Sequence, residues 1–112
     1  MKPSIYHVNF ASSQQSYGEG IAVFKDGTVN GGDHGYVYVG TYDLSSTSVS
    51  ARLKIKKWNA AVTSVFGNIP DFDLDLRGSL SPDQSTFTVT GGIKQLPGPT
   101  ITIRGRRISD AA

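Results

Sequence analysis

The sequence predicts an all-β chain, an eight-stranded antiparallel up-and-down barrel with one short helix near residues 60–66. Three observations carry that prediction. Two segments sort by parity: Val49, Ala51, Leu53 and Ile55 alternate with Ser50, Arg52, Lys54 and Lys56, while Phe72, Leu74, Leu76 and Leu80 alternate with Asp71, Asp73, Asp75 and Arg77. A period of two gives each segment one apolar and one charged face, as in a half-buried strand. Turn signals recur at short intervals, and Asp26-Gly27 is the strongest hairpin signal among them. The composition of five Tyr, five Phe and 13 Gly against one Met suits strands with many bends.

Taken in order, Ile5 to Ala11 forms the first strand and Ser12 to Ser16 the turn after it. Glu19 to Phe24 and Thr28 to Gly31 flank Lys25-Asp26-Gly27 as a hairpin, closed by Gly31-Gly32-Asp33-His34-Gly35. The fourth strand runs Tyr36 to Tyr42, turns through Asp43-Leu44-Ser45-Ser46-Thr47, and the fifth follows from Ser48 to Lys57. Asn59 is placed to cap the short helix, in which Val62, Val65 and Phe66 share a stripe that Gly67 ends. Phe72 to Leu80 is the sixth strand, and Pro82 is preset for the second position of the turn Ser81–Gln84. Thr86 to Gly91 is the seventh, Gln95 to Pro99 separates it from the eighth, Thr100 to Ile108, and the tail from Asp110 is expected to fray.

Short strands with tight links suit closure, which removes sheet edges. A two-sheet sandwich uses the same strands and stands as the alternative. Glycines inside strands, at Gly40, Gly78, Gly91, Gly92 and Gly105, allow a small sheet to bend sharply enough to close. The early strands are apolar on both faces: Tyr36, Tyr38 and Tyr42 oppose Val37 and Val39, and Ile21 and Val23 oppose Ala22 and Phe24. An apolar outer wall needs a cover, so a homodimer through the first half of the barrel is expected.

The 112 residues fit a single domain spanning 1–112, and 38% apolar content excludes disorder. A net charge of +2 with scattered basic residues does not mark a nucleic-acid binder. There is no cysteine, no apolar stretch of membrane-spanning length and no apolar leader after Met1, so a cytoplasmic location is expected.

Chemistry-bearing residues are few. Asp71, Asp73 and Asp75 project from one strand face about 7 Å apart, too far to share one ion, and read as rungs opposite Arg52, Lys54 and Lys56. Asp33 and His34 are adjacent on a turn with no following helix, so neither a phosphate cradle nor a catalytic pair is read there. His7 falls in phase with Ile5, in the barrel wall or at a partner surface, and Trp58 is expected to plug a barrel end. No nucleophile–base–orienter set exists, so no enzyme, metal or cofactor is expected.

The series Ile5-Tyr6 to Phe10, Gly18-Glu19-Gly20-Ile21, Gly31-Gly32-Asp33 and Val37-Tyr38-Val39-Gly40 resembles the GrlR family of negative regulators of type III secretion. The likeness continues more weakly through Trp58-Asn59, Ser64-Val65 and Asn68. It implies a lipocalin-like barrel, dimeric and cytoplasmic, that inhibits a helix-turn-helix transcription activator by direct contact through an acidic loop after the fourth strand. The matching loop here comprises Asp43, Leu44, Ser45, Ser46 and Thr47, and only Asp43 is acidic. The expected function is therefore a regulatory adaptor acting by protein binding. A carrier of a small apolar or lipid-like ligand is the alternative, with Phe10, Ala22, Phe24, Leu53, Ile55, Phe72, Leu74 and Leu76 facing the interior.

Overall fold

Eight antiparallel strands, each hydrogen-bonded to the next and the last to the first, close into a barrel in the computed structural model, which describes residues 1–13, 17–61 and 71–112, the side chains of 17 and 96 excepted. They are β1 (Ser4–Ser12), β2 (Tyr17–Lys25), β3 (Thr28–Gly32), β4 (Tyr36–Ser45), β5 (Ser48–Lys57), β6 (Asp71–Leu80), β7 (Thr86–Ile93) and β8 (Leu96–Asp110). Closure leaves the described strands no free edge, and the barrel rather than the sandwich is the architecture. The expected helix near 60–66 falls mostly outside the described residues.

Register follows the alternation of side chains. In the β5–β6 pair, Arg52 faces Asp75, Lys54 faces Asp73 and Lys56 faces Asp71, so the charged faces coincide outside and the apolar faces inside. Arg52 Nε lies 3.6 Å from Asp75 Oδ1, while Asp73 takes a 2.8 Å hydrogen bond from the Gln95 amide. Both partners of the Arg52 pair are exposed, so the ladder sets register more than it adds stability.

The β2–β3 hairpin turns on Asp26 and Gly27, both at positive φ (52° and 80°), the primed turn that matches strand twist. At Gly78 a Cβ would lie 1.8 Å from the Thr88 carbonyl oxygen, so β7 crosses β6 closer than any side chain permits. Gly92 differs from the expectation: its nearest neighbour, the Pro99 oxygen, is 3.4 Å away, ordinary contact.

Three boundaries differ from the sequence reading for identifiable reasons. Asp43, Leu44 and Ser45 belong to β4, paired with Ser50, Val49 and Ser48, so the predicted five-residue loop shrinks to Ser46-Thr47, with Ser46 at φ 58°. β8 starts at Leu96 because a register shift between Gly92 and Ile93 absorbs residues 97–99. Pro97 and Pro99, which lack N–H donors, thus sit where β7 requires none. The tail is tied down: Asp110 pairs with Ser4, the Ala111 N–H reaches the Pro3 carbonyl at 3.0 Å, and Lys25 Nζ bonds the Ala112 carbonyl at 2.7 Å.

The β6–β7 turn carries a titrating contact. Asp83 accepts hydrogen bonds from the Ser85 hydroxyl (2.6 Å), the Ser81 hydroxyl (2.7 Å) and the Ser85 N–H (3.0 Å). These donors, Ser85 first, hold its carboxyl down at about 2. The folded value lies below the unfolded one, so the contribution is complete above about pH 4 and is lost as pH falls toward about 2. Urea unfolding of wild type and Asp83→Asn at about pH 6 and about pH 2.5 is expected to show a stability gap that shrinks at the lower pH. A gap unchanged between the two would mean the turn does not hold the ionised form.

Candidate functional site

Inside the barrel, the side chains grade from a packed floor to an apolar cavity. At the floor Phe24 meets Tyr6, Tyr42 and Phe87 edge-to-face, with ring centroids 5.4, 5.1 and 5.4 Å away. The Tyr6 hydroxyl donates to the Gln84 carbonyl at 2.6 Å, and burial raises its pKa above the usual tyrosine value. Above this floor lies a cavity of about 240 Å³ walled mainly by apolar side chains.

Of the residues the sequence assigns to the interior, Ala22, Phe24, Leu53, Ile55, Phe72, Leu74 and Leu76 are buried, and Phe10 is partly buried against them. All eight line the cavity. Sequence reasoning did not assign Tyr36, Tyr38 and Tyr42 to a face. All three point inward, because β4 pairs with β5 so that Tyr38 lies opposite Ile55 and Tyr42 opposite Ala51.

The inward residues of β2 shape the space. A Cβ on Gly18 would lie 2.4 Å from the Phe10 ring, and one on Gly20 would lie 2.6 Å from the Tyr38 hydroxyl oxygen. Two large rings therefore occupy the room that two absent side chains leave. Phe10 stands perpendicular to Tyr38, at 89° and 6.4 Å between centroids.

The polar part of the wall is the β3–β4 turn. Asp33 Oδ1 accepts the N–H groups of Gly35 and Tyr36, each at 2.8 Å, and its Oδ2 accepts the Tyr38 hydroxyl in a very short contact. Burial first, then the neighbouring Asp33 carboxylate, pushes the Tyr38 hydroxyl far above the usual tyrosine pKa, so it keeps its proton. Trp58 and Asn59 clamp the turn from outside. The Trp58 indole N–H donates to the Asp33 carbonyl at 3.1 Å, and the Asn59 amide donates to the His34 carbonyl at 2.9 Å.

Trp58 is thus a clamp on the rim rather than the expected plug; it stays 58% exposed because Tyr36 and Phe72 already fill that end, 6.2 Å apart. His7 points outward and sits 3.1 Å from Glu19. Among the described residues no three His, Cys, Asp or Glu side chains converge as metal ligands. Nor is there, among them, a helix long and apolar enough to cross a membrane.

Outside, Ile21 (39% exposed) and Val39 (46% exposed) continue the wall of Ile5, Val23 and Val37. Across the strands Ile5 faces Val23, Val23 faces Asn30 and Asn30 faces Val39, while Gly32 separates Ile21 from Val37 without a side chain. The hairpin tip carries Asp43, Ser45, Ser46 and Thr47 exposed, with Leu44 turned toward the core.

Fold and interior together define a small up-and-down β-barrel with an apolar cavity and a polar corner at the β3–β4 turn. The family described as T3SS negative regulator, GrlR, matches residues 1–109. The chain belongs to the GrlR family of negative regulators of type III secretion. No curated protein matches it.

Proposed function

We propose that this chain represses type III secretion in the cytoplasm, without catalysis, by binding a transcription activator as a dimeric barrel. The observation that carries this reading is family membership across 1–109, on a barrel whose buried interior is apolar. The work then falls to the outer surface. The β4–β5 tip, with Asp43, Ser45, Ser46 and Thr47 exposed, is the activator contact, and a second copy covers the apolar wall of β1–β4.

Mixing the purified chain with the purified activator of its host's type III secretion genes tests the contact. A stoichiometric complex in analytical ultracentrifugation, weakened at least about tenfold by Asp43→Lys, is expected. Absence of a complex would remove the proposal. For the dimer, light scattering of Val39→Lys is expected to give a folded monomer where wild type gives a dimer, since a second ammonium cannot be buried beside Lys54, its cross-strand neighbour. A wild-type monomer at micromolar concentration would contradict the covered wall.

The 240 Å³ cavity favours a second reading, in which the barrel also carries a small apolar ligand. Phe10, Ala22, Phe24, Leu53, Ile55, Phe72, Leu74 and Leu76 would then form its apolar contacts.

A further inference from the structure

Resting on the carrier reading, we propose that the barrel selects an apolar molecule whose polar group is a hydrogen-bond donor, an alcohol or amine, and rejects the corresponding carboxylate. Tyr38 is 8% exposed and lines the cavity, and its hydroxyl donates to Asp33 Oδ2. A phenol has one proton to give. With that proton committed to Asp33, the Tyr38 oxygen offers an arriving head group only lone pairs.

Asp33 cannot swing away to release it. Its other oxygen is held by the N–H groups of Gly35 and Tyr36, and the Trp58 indole grips the carbonyl of the same residue. Gly20 is what lets the Tyr38 oxygen settle beside Asp33, since a Cβ there would lie 2.6 Å from it. The corner is therefore a fixed acceptor at one edge of an apolar space.

An alcohol or amine entering that space can donate to the Tyr38 oxygen. A carboxylate is an acceptor only, and it would set lone pair against lone pair beside the Asp33 charge. Among the described residues, the charged or titratable ones that line the cavity besides the tyrosines are Asp33, Glu19 and His34; no Lys or Arg is among them. None of these described wall residues offers the carboxylate the Lys or Arg counter-charge its burial requires.

Asp33→Asn provides a reversal that a merely structural role would not. The N–H groups of Gly35 and Tyr36 require an acceptor, so the asparagine carbonyl must take the Oδ1 place and its NH₂ the Oδ2 place. The amide then donates to Tyr38, which frees the phenol proton to point into the cavity. The corner changes from acceptor to donor.

The test uses three probes of equal chain length, decan-1-ol, decylamine and decanoate. Binding is followed by the fluorescence of Trp58, the only tryptophan, and stoichiometry by native mass spectrometry. Wild type is expected to bind the alcohol and amine at least about tenfold more tightly than decanoate. Tyr38→Phe is expected to cut that preference to less than about twofold, and Asp33→Asn to turn it toward decanoate. Equal binding of all three probes by wild type, or a preference surviving Tyr38→Phe, overturns the head-group inference and leaves the carrier reading standing. Failure of all three to bind overturns both, while the regulatory reading is judged separately by the activator complex. If Asp33→Asn does not fold, Tyr38→Phe, which keeps the ring, still decides the matter.

Discussion

Phe24→Ala is expected to cost the barrel about 3–5 kcal/mol, measured as the loss of unfolding free energy in urea. Phe24 is 6% exposed and closes the floor by touching three other rings. Its removal forfeits the transfer free energy of the ring and leaves a void the neighbours cannot fill. Tyr6 is held by its bond to the Gln84 carbonyl, and the other two rings, Tyr42 and Phe87, belong to different strands of a closed ladder. Each edge-to-face pair adds about 0.5–1.5 kcal/mol beyond burial, which places this site near the upper end of such substitutions. A loss below about 1 kcal/mol would mean that the floor repacks freely and that these rings do not set its shape.

The second large effect is expected at Gly78→Val. The new Cβ would have to share space with the Thr88 carbonyl oxygen at 1.8 Å and the Val89 Cα at 2.7 Å, both backbone atoms of the paired strand. Neither can rotate aside, so β6 and β7 must separate or slip. Because register has a period of two, a slip of one residue would turn Leu74 and Leu76 outward. The expected cost is about 3 kcal/mol or more, with loss of a single cooperative unfolding transition. Gly92→Ala is the control, since the nearest atom is at ordinary contact distance. Its expected effect is within about 1 kcal/mol of zero. If Gly78→Val unfolded like Gly92→Ala, close strand approach would not be what bends this sheet.

How much was legible depended on whether one face of a segment was charged. β5 and β6 read correctly face by face because every second side chain is polar, and in the structure their opposed charges meet as Arg52–Asp75, Lys54–Asp73 and Lys56–Asp71. β4 offered no such contrast, since tyrosines on one face oppose valines on the other. Its orientation lay instead in the turn: a two-residue link at Ser46-Thr47 sets Tyr42 opposite Ala51 and so sends all three tyrosines inward. Reading Asp43–Thr47 as one polar loop discarded that register. The same run of short polar residues, Asp43 and Ser45, can sit on the outer face of a strand as readily as in a turn.

The polar corner was hidden for a different reason. Gly31-Gly32-Asp33-His34-Gly35 reads as a turn, but only Asp33-His34-Gly35 turns, Gly31 and Gly32 being paired within β3. What the sequence does not display is that Asp33 caps the turn with one oxygen and reaches Tyr38, five residues on, with the other. That contact depends on Gly20 from another strand vacating the space. Nor does a lone tryptophan announce whether it fills a barrel or clasps its rim; the presence of Tyr36 and Phe72 inside decided it.

The regulatory account is tested most directly by a type III secretion reporter in the native host, read with the gene for this chain deleted, restored and over-expressed. Reporter output is expected to rise on deletion, to return with the restored gene and to fall further with excess protein. Output that ignores all three conditions, or that falls on deletion, would contradict the role assigned to this barrel.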